Sequence, residues 1–316
     1  MRKVLIVCLF LLSSLLSFAR PSRDAYLFAY FSEAQPGLQF AYSYDGLQWQ
    51  RVPTKGAVFL PDATSNFCFR DPSVCQGPDG TFHMVWTVGF KESFGYASSS
   101  DLVHWSQQRR IHVMEDDPAC VNVWAPDLFF SPEDSLFYII WASTVPGKHS
   151  FVADSKFEKG YNHRIYCVTT RDFVSFSPTR MFFNPDFSVI DATIARLDSR
   201  TLLLFMKNEN PNPPEKNIRL SVSRSLNDGF PLSVSEPLTP SSIWVEGPTA
   251  LRVGRFLYVY YDVYSHARYG AMRSRNGRRW TDVSGDCSFP QGMRHGTAFR
   301  VSRKLLDSLL EAAPQL

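Results

Sequence analysis

The chain has 316 residues, 44% hydrophobic and only 20% charged, which excludes a disordered or coiled-coil protein and allows a substantial core. Lysine plus arginine outnumber aspartate plus glutamate by 33 to 30, a net charge of +3, so the composition carries no footprint of a nucleic-acid binder. Aromatic residues reach 15%, which favours sheets over helical bundles.

Residues 1–19, MRKVLIVCLFLLSSLLSFA, begin with a basic pair, continue through an apolar run from Val4 to Leu16, and end on Ser17-Phe18-Ala19, a small-x-small cleavage site. The reading is a signal peptide cut after Ala19. Export to the periplasm or the extracellular space follows, with 20–316 as a single domain. Ser13 and Ser14 interrupt the run, which is short for a hydrocarbon core of ~30 Å, so no membrane association is expected after cleavage. Beyond the leader stand Cys68, Cys75, Cys120, Cys167 and Cys287, an odd number without metal-type spacing. At least one thiol therefore stays unpaired, and a Cys68–Cys75 pair is left open.

From residue 42 onward two phrases alternate, each recurring about every fifty to seventy residues. The first runs YSYDGLQW, SSSDLVHW, TTRDFVSF, SRSLNDGF and SRNGRRW. The second runs FRDPSV, WAPDLFF, VIDATIA, VEGPTAL and RHGTAF, with Asp71, Asp127, Asp191, Glu246 and His295 as its polar landmarks. Between them lie alternating aromatic-rich runs such as TFHMVWT, SLFYIIWAS, TLLLFMKN and RFLYVYYDVY, each followed by a second strand-like run. Five small antiparallel sheets in series describe an all-β, five-bladed β-propeller. AYLFAYFS and LQFAYSYDGLQW lack an inner strand, and RHGTAFRVS at the other end is an inner strand without partners. Joining them closes the ring and hides both edges. RKLLDSLLEAA places Leu305, Leu306, Leu309 and Leu310 on one face of a short packing helix.

Inner strands of a propeller line its axis, so the five landmark residues are expected at one point of five repeats, converging on a shared channel. An isolated Asp-Pro is ordinary turn chemistry, but four acids and a histidine in register imply a cluster with a function. Two carboxylates across a sugar-sized gap are the machinery of glycoside hydrolysis, and crowding by a third keeps one protonated near neutrality. The loops 87–93, 143–164, 207–217 and 263–268 return to the same rim and wall the site. Lys207 and His266 lie on them, Trp124 offers an indole to a sugar face, and Arg70 braces the rim beside Asp71. Trp49, Trp105 and Trp280 belong to the first phrase and read as core.

The second phrase, in this order and spacing across nearly all of the mature chain, resembles the five-bladed propellers of glycoside hydrolase family 43. That resemblance implies Asp71 as general base, Glu246 as general acid and Asp191 as the residue that tunes the acid. It makes Asp127 a supporting carboxylate and puts His295 beside the axis, where a central calcium ion is left open and no cofactor is required. Arabinofuranosyl or xylosyl units of a plant-type polysaccharide or oligosaccharide are the implied substrate. A galactofuranosidase or galactosidase of the same fold, and an inert carbohydrate-binding or protein-interaction propeller, stand as alternatives. Two departures are visible: Ala192-Thr193 follows Asp191 where many members carry other residues, and Arg294 replaces a Gly-Pro-Gly lead-in to His295. FRDP also occurs in retaining fructosidase-type propellers, but their Asn-Asp-Pro-Asn-Gly phrase does not precede Phe69, which favours the inverting scheme.

Overall fold

The computed structural model describes residues 24–62, 68–89, 92–149, 161–210 and 213–316; the leader and half of the 143–164 wall loop lie outside them. The first blade takes β1 (Asp24–Ser32), β2 (Gln35–Ser43) and β3 (Gln50–Arg51). The second is β4 (Arg70–Gln76), β5 (Phe82–Thr87), β6 (Ser93–Ser99) and β7 (Arg109–His112). The third is β8 (Trp124–Ser131), β9 (Leu136–Ser143), β10 (Arg164–Thr170) and β11 (Arg180–Phe183). The fourth has β12 (Val189–Asp198), β13 (Thr201–Asn208) and β14 (Asn217–Ser223). The fifth has β15 (Glu246–Val253), β16 (Phe256–Val263), β17 (Arg268–Ser274) and β18 (Thr281–Asp282). Finally β19 (Gly296–Ser302) joins the first blade, giving the order β19-β1-β2-β3. The pairings between these strands are antiparallel, and β19 meets β1 over the register Asp24↔Ser302 to Tyr30↔Gly296.

Alternation along each strand puts apolar side chains into the seams between neighbouring blades rather than into one central core. The first phrase explains itself here. Ser43 Oγ accepts the Gly46 N–H at 2.9 Å, while Asp45 Oδ1 accepts the N–H groups of Leu47 and Gln48 at 2.8 Å each. Ser99 with Asp101, Thr170 with Asp172 and Ser274 with Asn276 repeat the turn. Its fourth residue has positive φ at Gly46, Leu102, Phe173 and Gly277. Trp49 closes such a turn and packs edge-on to Phe28 and Tyr260, so the aromatic of the phrase is core. The C-terminal helix α1 (Arg303–Ala312) starts on Ser302, whose Oγ accepts the Leu305 N–H at 3.1 Å, and buries Leu306 and Leu309 against the first two blades.

Candidate active site

Four inner strands carry one irregularity at the same place. The ladder slips between Arg70 and Ser73, Trp124 and Asp127, Ile190 and Thr193, and Glu246 and Thr249. Inside each slip one residue takes positive φ: Asp71 (52°), Ala125 (48°), Asp191 (53°) and Gly247 (57°). Left-handed backbone costs an L-residue about 1 kcal/mol, and aspartate tolerates it better than most. These bulges turn the Asp71 and Asp191 side chains out of the sheet plane into a cavity of about 400 Å³, a size usual for small-molecule sites. Arg70, Trp124, Lys207, Glu246 and His295 line it as well.

The landmark residues do not share one register position, contrary to expectation. Two residues after Asp71, Ala125, Asp191, Gly247 and His295 come Ser73, Asp127, Thr193, Thr249 and Thr297. Asp127 thus matches a serine and three threonines, and it lies below the cavity instead of lining it. The side chains of this lower ring tie blade to blade. Ser73 Oγ donates to Asp127 Oδ1 at 2.8 Å and accepts the Leu128 N–H at 3.0 Å. Thr249 Oγ1 accepts the Ala298 N–H at 3.1 Å, and Thr297 Oγ1 donates to the Pro72 carbonyl at 2.9 Å. Burial pushes the Asp127 carboxyl up to about 6, which Ser73 and Thr193 only partly offset. Asp127 ties the second and third blades together and does not line the cavity. Glu246, in turn, stands one residue before its bulge, at the level of Arg70, Trp124 and Ile190.

His295 joins two of the carboxylates. Its Nδ1 lies 3.3 Å from Asp71 Oδ1 and 3.9 Å from Asp191 Oδ1. Its ring rests on Gly247, where a Cβ would come within 2.4 Å of it, so the glycine opens the seat for the imidazole. Asp71 is further held by the Thr87 hydroxyl, which donates to Oδ2 at 2.7 Å and accepts the Ala125 N–H at 2.8 Å. Asp191 Oδ2 accepts the Gly247 N–H at 3.0 Å. Burial opposes ionisation of both carboxyls. At Asp71 the hydrogen bond and charge of His295, then Arg70, win and hold the carboxyl below its ordinary range. At Asp191 burial wins, helped by Glu246 and Asp71, and the carboxyl rises to about 6. Burial alone would lower His295, but Asp191 and Asp71 raise it to about 9, so the imidazole is a cation at neutral pH.

Glu246 sits between two cations. Lys207 Nζ is 3.3 Å from Oε2, and Arg294 Nη2 is 3.0 Å from Oε1. Lys207 is buried, 2.7 Å from Glu209, whose other oxygen meets Lys216 at 3.0 Å; the two lysines outweigh burial and depress Glu209 to about 2. Arg294 also donates Nε–H to Asp262 Oδ2 at 2.7 Å and reaches Glu33 at 3.3 Å. Asp262 lies opposite Glu246 in the ladder, and burial lifts its carboxyl to about 6. Thr87, Glu209, Asp262 and Lys216 were not singled out in the sequence, since none is a landmark of a recurring phrase, although Thr87, Glu209 and Lys216 fall within the loops expected to wall the site. Trp124 stands edge-on to Tyr161 at 5.0 Å, and Arg70 pairs with Glu33 at 2.8 Å over the Phe31 ring, bracing the rim. His266 is exposed and does not line the cavity. The described cysteines form no disulfide with one another, Cys68 and Cys75 included.

Among the described residues no three His, Cys, Asp or Glu side chains are grouped as ligands for a metal ion. The His295 imidazolium lies at the centre of the charge cluster, and its linkage has a testable sign. A folded-state value near 9 against an ordinary 6.5 means stabilisation that is complete below about pH 6.5 and disappears as pH rises through 9. Urea unfolding of the wild type relative to His295→Gln is expected to show this difference shrinking between pH 6.5 and 9. Asp191 titrates lower, near 6. A difference flat across that interval would overturn the imidazolium assignment.

Among solved structures, the chain is similar in fold to the alpha-L-arabinofuranosidase from Lactobacillus brevis at 15% identity, a TM-score of 0.54, and coverage of 70% of this chain and 74% of that one. A thermostable family-43 glycoside hydrolase gives 15% identity, a TM-score of 0.55, and coverage of 73% and 78%. The exo-beta-1,3-galactanase 1,3Gal43A from Clostridium thermocellum gives 11% identity and a TM-score of 0.54, with 70% of this chain matching 49% of that one. No curated protein matches in sequence. The family described as a probable glycosyl hydrolase domain, related to glycoside hydrolase family 43, matches residues 22–307, and with its five blades and its acid-lined cavity the chain belongs to that family.

Proposed function

We propose that this protein is an inverting glycosidase acting outside the cytoplasm on plant-type polysaccharide or oligosaccharide, releasing arabinofuranosyl or xylosyl units. The observation that supports it most is the convergence of Asp71, Asp191 and Glu246, from three separate blades, on one cavity. Asp71 remains ionised, fixed in orientation by Thr87 and His295, and suits the base that removes a proton from the attacking water. Glu246 suits the acid that delivers a proton to the departing oxygen. Lys207 and Arg294 then stabilise the carboxylate that this transfer creates, which lowers the energy of the bond-breaking step. Asp191 and His295 set the charge around both. Trp124 supplies an apolar face for the sugar ring. The apolar run before Ala19 supports export, and among the described residues no helix is long and apolar enough to cross a membrane.

A panel of aryl furanosides and pyranosides together with plant polysaccharides tests the substrate, and NMR of the first product formed tests the stereochemistry. Arabinose or xylose released with inversion is the expected result. Galactose release would reassign the sugar, retention would reassign the mechanism, and inactivity on the whole panel would remove the glycosidase reading.

A further inference from the structure

We propose that a groove on the face opposite the cavity docks an anionic, uronate-bearing polysaccharide. Strand direction defines that face. β12 leaves the cavity at Asp191 and ends at Asp198, seven residues on, which is more than about 20 Å of extended chain. The far ends of β12, β14 and β17 then enclose a groove of about 910 Å³ between the fourth and fifth blades. Arg224, Arg275 and Arg278 line it, all three exposed, and none forms an ion pair with a carboxylate among the described residues. Leu203 and Phe230 lie buried beneath it.

Positive charge continues from the groove onto the fifth blade. Arg273, Arg275 and Arg255 surround the Phe256 ring, with guanidinium carbons 4.5, 4.7 and 5.7 Å from its centroid. The neighbouring groove between the third and fourth blades shares Arg224 but balances two arginines with Glu133 and Asp134, whereas three arginines face Asp198 and Asp228 here. Arginine therefore outnumbers acid in this groove, in a chain whose overall charge is only +3.

The chemistry selects the occupant. A guanidinium fork holds a carboxylate through two parallel hydrogen bonds, and three exposed arginines along one groove suit a polymer that repeats a carboxylate on its sugars, so a chain of uronic acids is the matching occupant. Asp198 and Asp228 also line the groove, which opposes the continuous phosphate line of a nucleic acid. A recessed floor is likewise a poor match for a bilayer surface. In this arrangement, which rests on the glycosidase reading, the far face tethers the protein to an acidic polymer while the cavity stays free for hydrolysis.

Native gel electrophoresis of the full chain in gels containing polygalacturonate, with dextran gels as the neutral comparison, tests the proposal. The wild type is expected to be retarded by polygalacturonate and not by dextran, with the effect weakened in about 0.5 M salt. The triple variant Arg224→Gln/Arg275→Gln/Arg278→Gln is expected to bind at least about tenfold more weakly while its thermal unfolding is unchanged. Equal retardation of wild type and triple variant, or of the wild type in both gels, would overturn it. So would stronger arginine-dependent binding to phosphatidylglycerol vesicles or duplex DNA. Arginine-dependent retention by a chain inactive on every glycoside would sink the glycosidase reading and leave the groove; activity without retention would do the reverse.

Discussion

Glu246→Gln is expected to lower turnover of a substrate with a poor leaving group by about 10²- to 10⁴-fold, the usual contribution of a positioned proton donor. Glutamine keeps the volume and a hydrogen-bonding oxygen for Arg294, and Lys207 retains Glu209, so thermal unfolding should change little. Asp71→Asn is expected to cause a loss of similar size, since an amide cannot take a proton from water. The leaving group separates the two roles. An aryl glycoside with a strongly acidic phenol needs no proton, so Glu246→Gln should recover most of its rate on that substrate, while Asp71→Asn should recover none. Steady-state rates across a series of phenols check this, and parallel losses in both variants would exclude the assignment of acid and base.

Gly296→Ala carries the largest expected effect on stability. A Cβ at this position would lie 1.9 Å from the Ala29 carbonyl oxygen and 2.9 Å from the Tyr30 Cα, both on the backbone of β1. Neither can rotate away, so β19 must separate from β1, and that pairing is the one that closes the ring. A loss of about 3 kcal/mol or more is expected in urea unfolding, in the range of severe overpacking. Gly56→Ala is the control. Nothing lies within 4 Å of the Cβ it adds, and a change within about 0.5 kcal/mol is expected. Equal stability of the two variants would show that ring closure contributes little.

The site was legible in part, and the boundary between the two parts follows from how each residue is encoded. Asp71, Asp191 and Glu246 stand in phrases that repeat, so their convergence follows from counting blades. Lys207 and Arg70 were within reach because they flank those phrases or lie on rim loops. Asp127 was misplaced because Trp-Ala-Pro-Asp looks like Phe-Arg-Asp-Pro until the bulge is located, and a slip of two residues moves a side chain one level down the axis. Asp262 and Thr87 sit on second strands inside runs that read as core, TFHMVWT and RFLYVYYDVY, where alternation marks a buried position without saying what polar partner waits across the blade.

By itself the order of residues determined the all-β class, the number of blades, the seam aromatics and the helix of Leu306 and Leu309, because these depend on local periodicity and on turns closed within a few residues. Tertiary structure alone decided which charges meet: His295 between Asp71 and Asp191, Arg294 between Glu246 and Asp262, Lys207 between Glu209 and Glu246. Each of the first two groupings joins residues from separate blades or separate repeats. Ionisation in a buried cluster depends on distances of a few ångströms, and these exist only once the ring has closed.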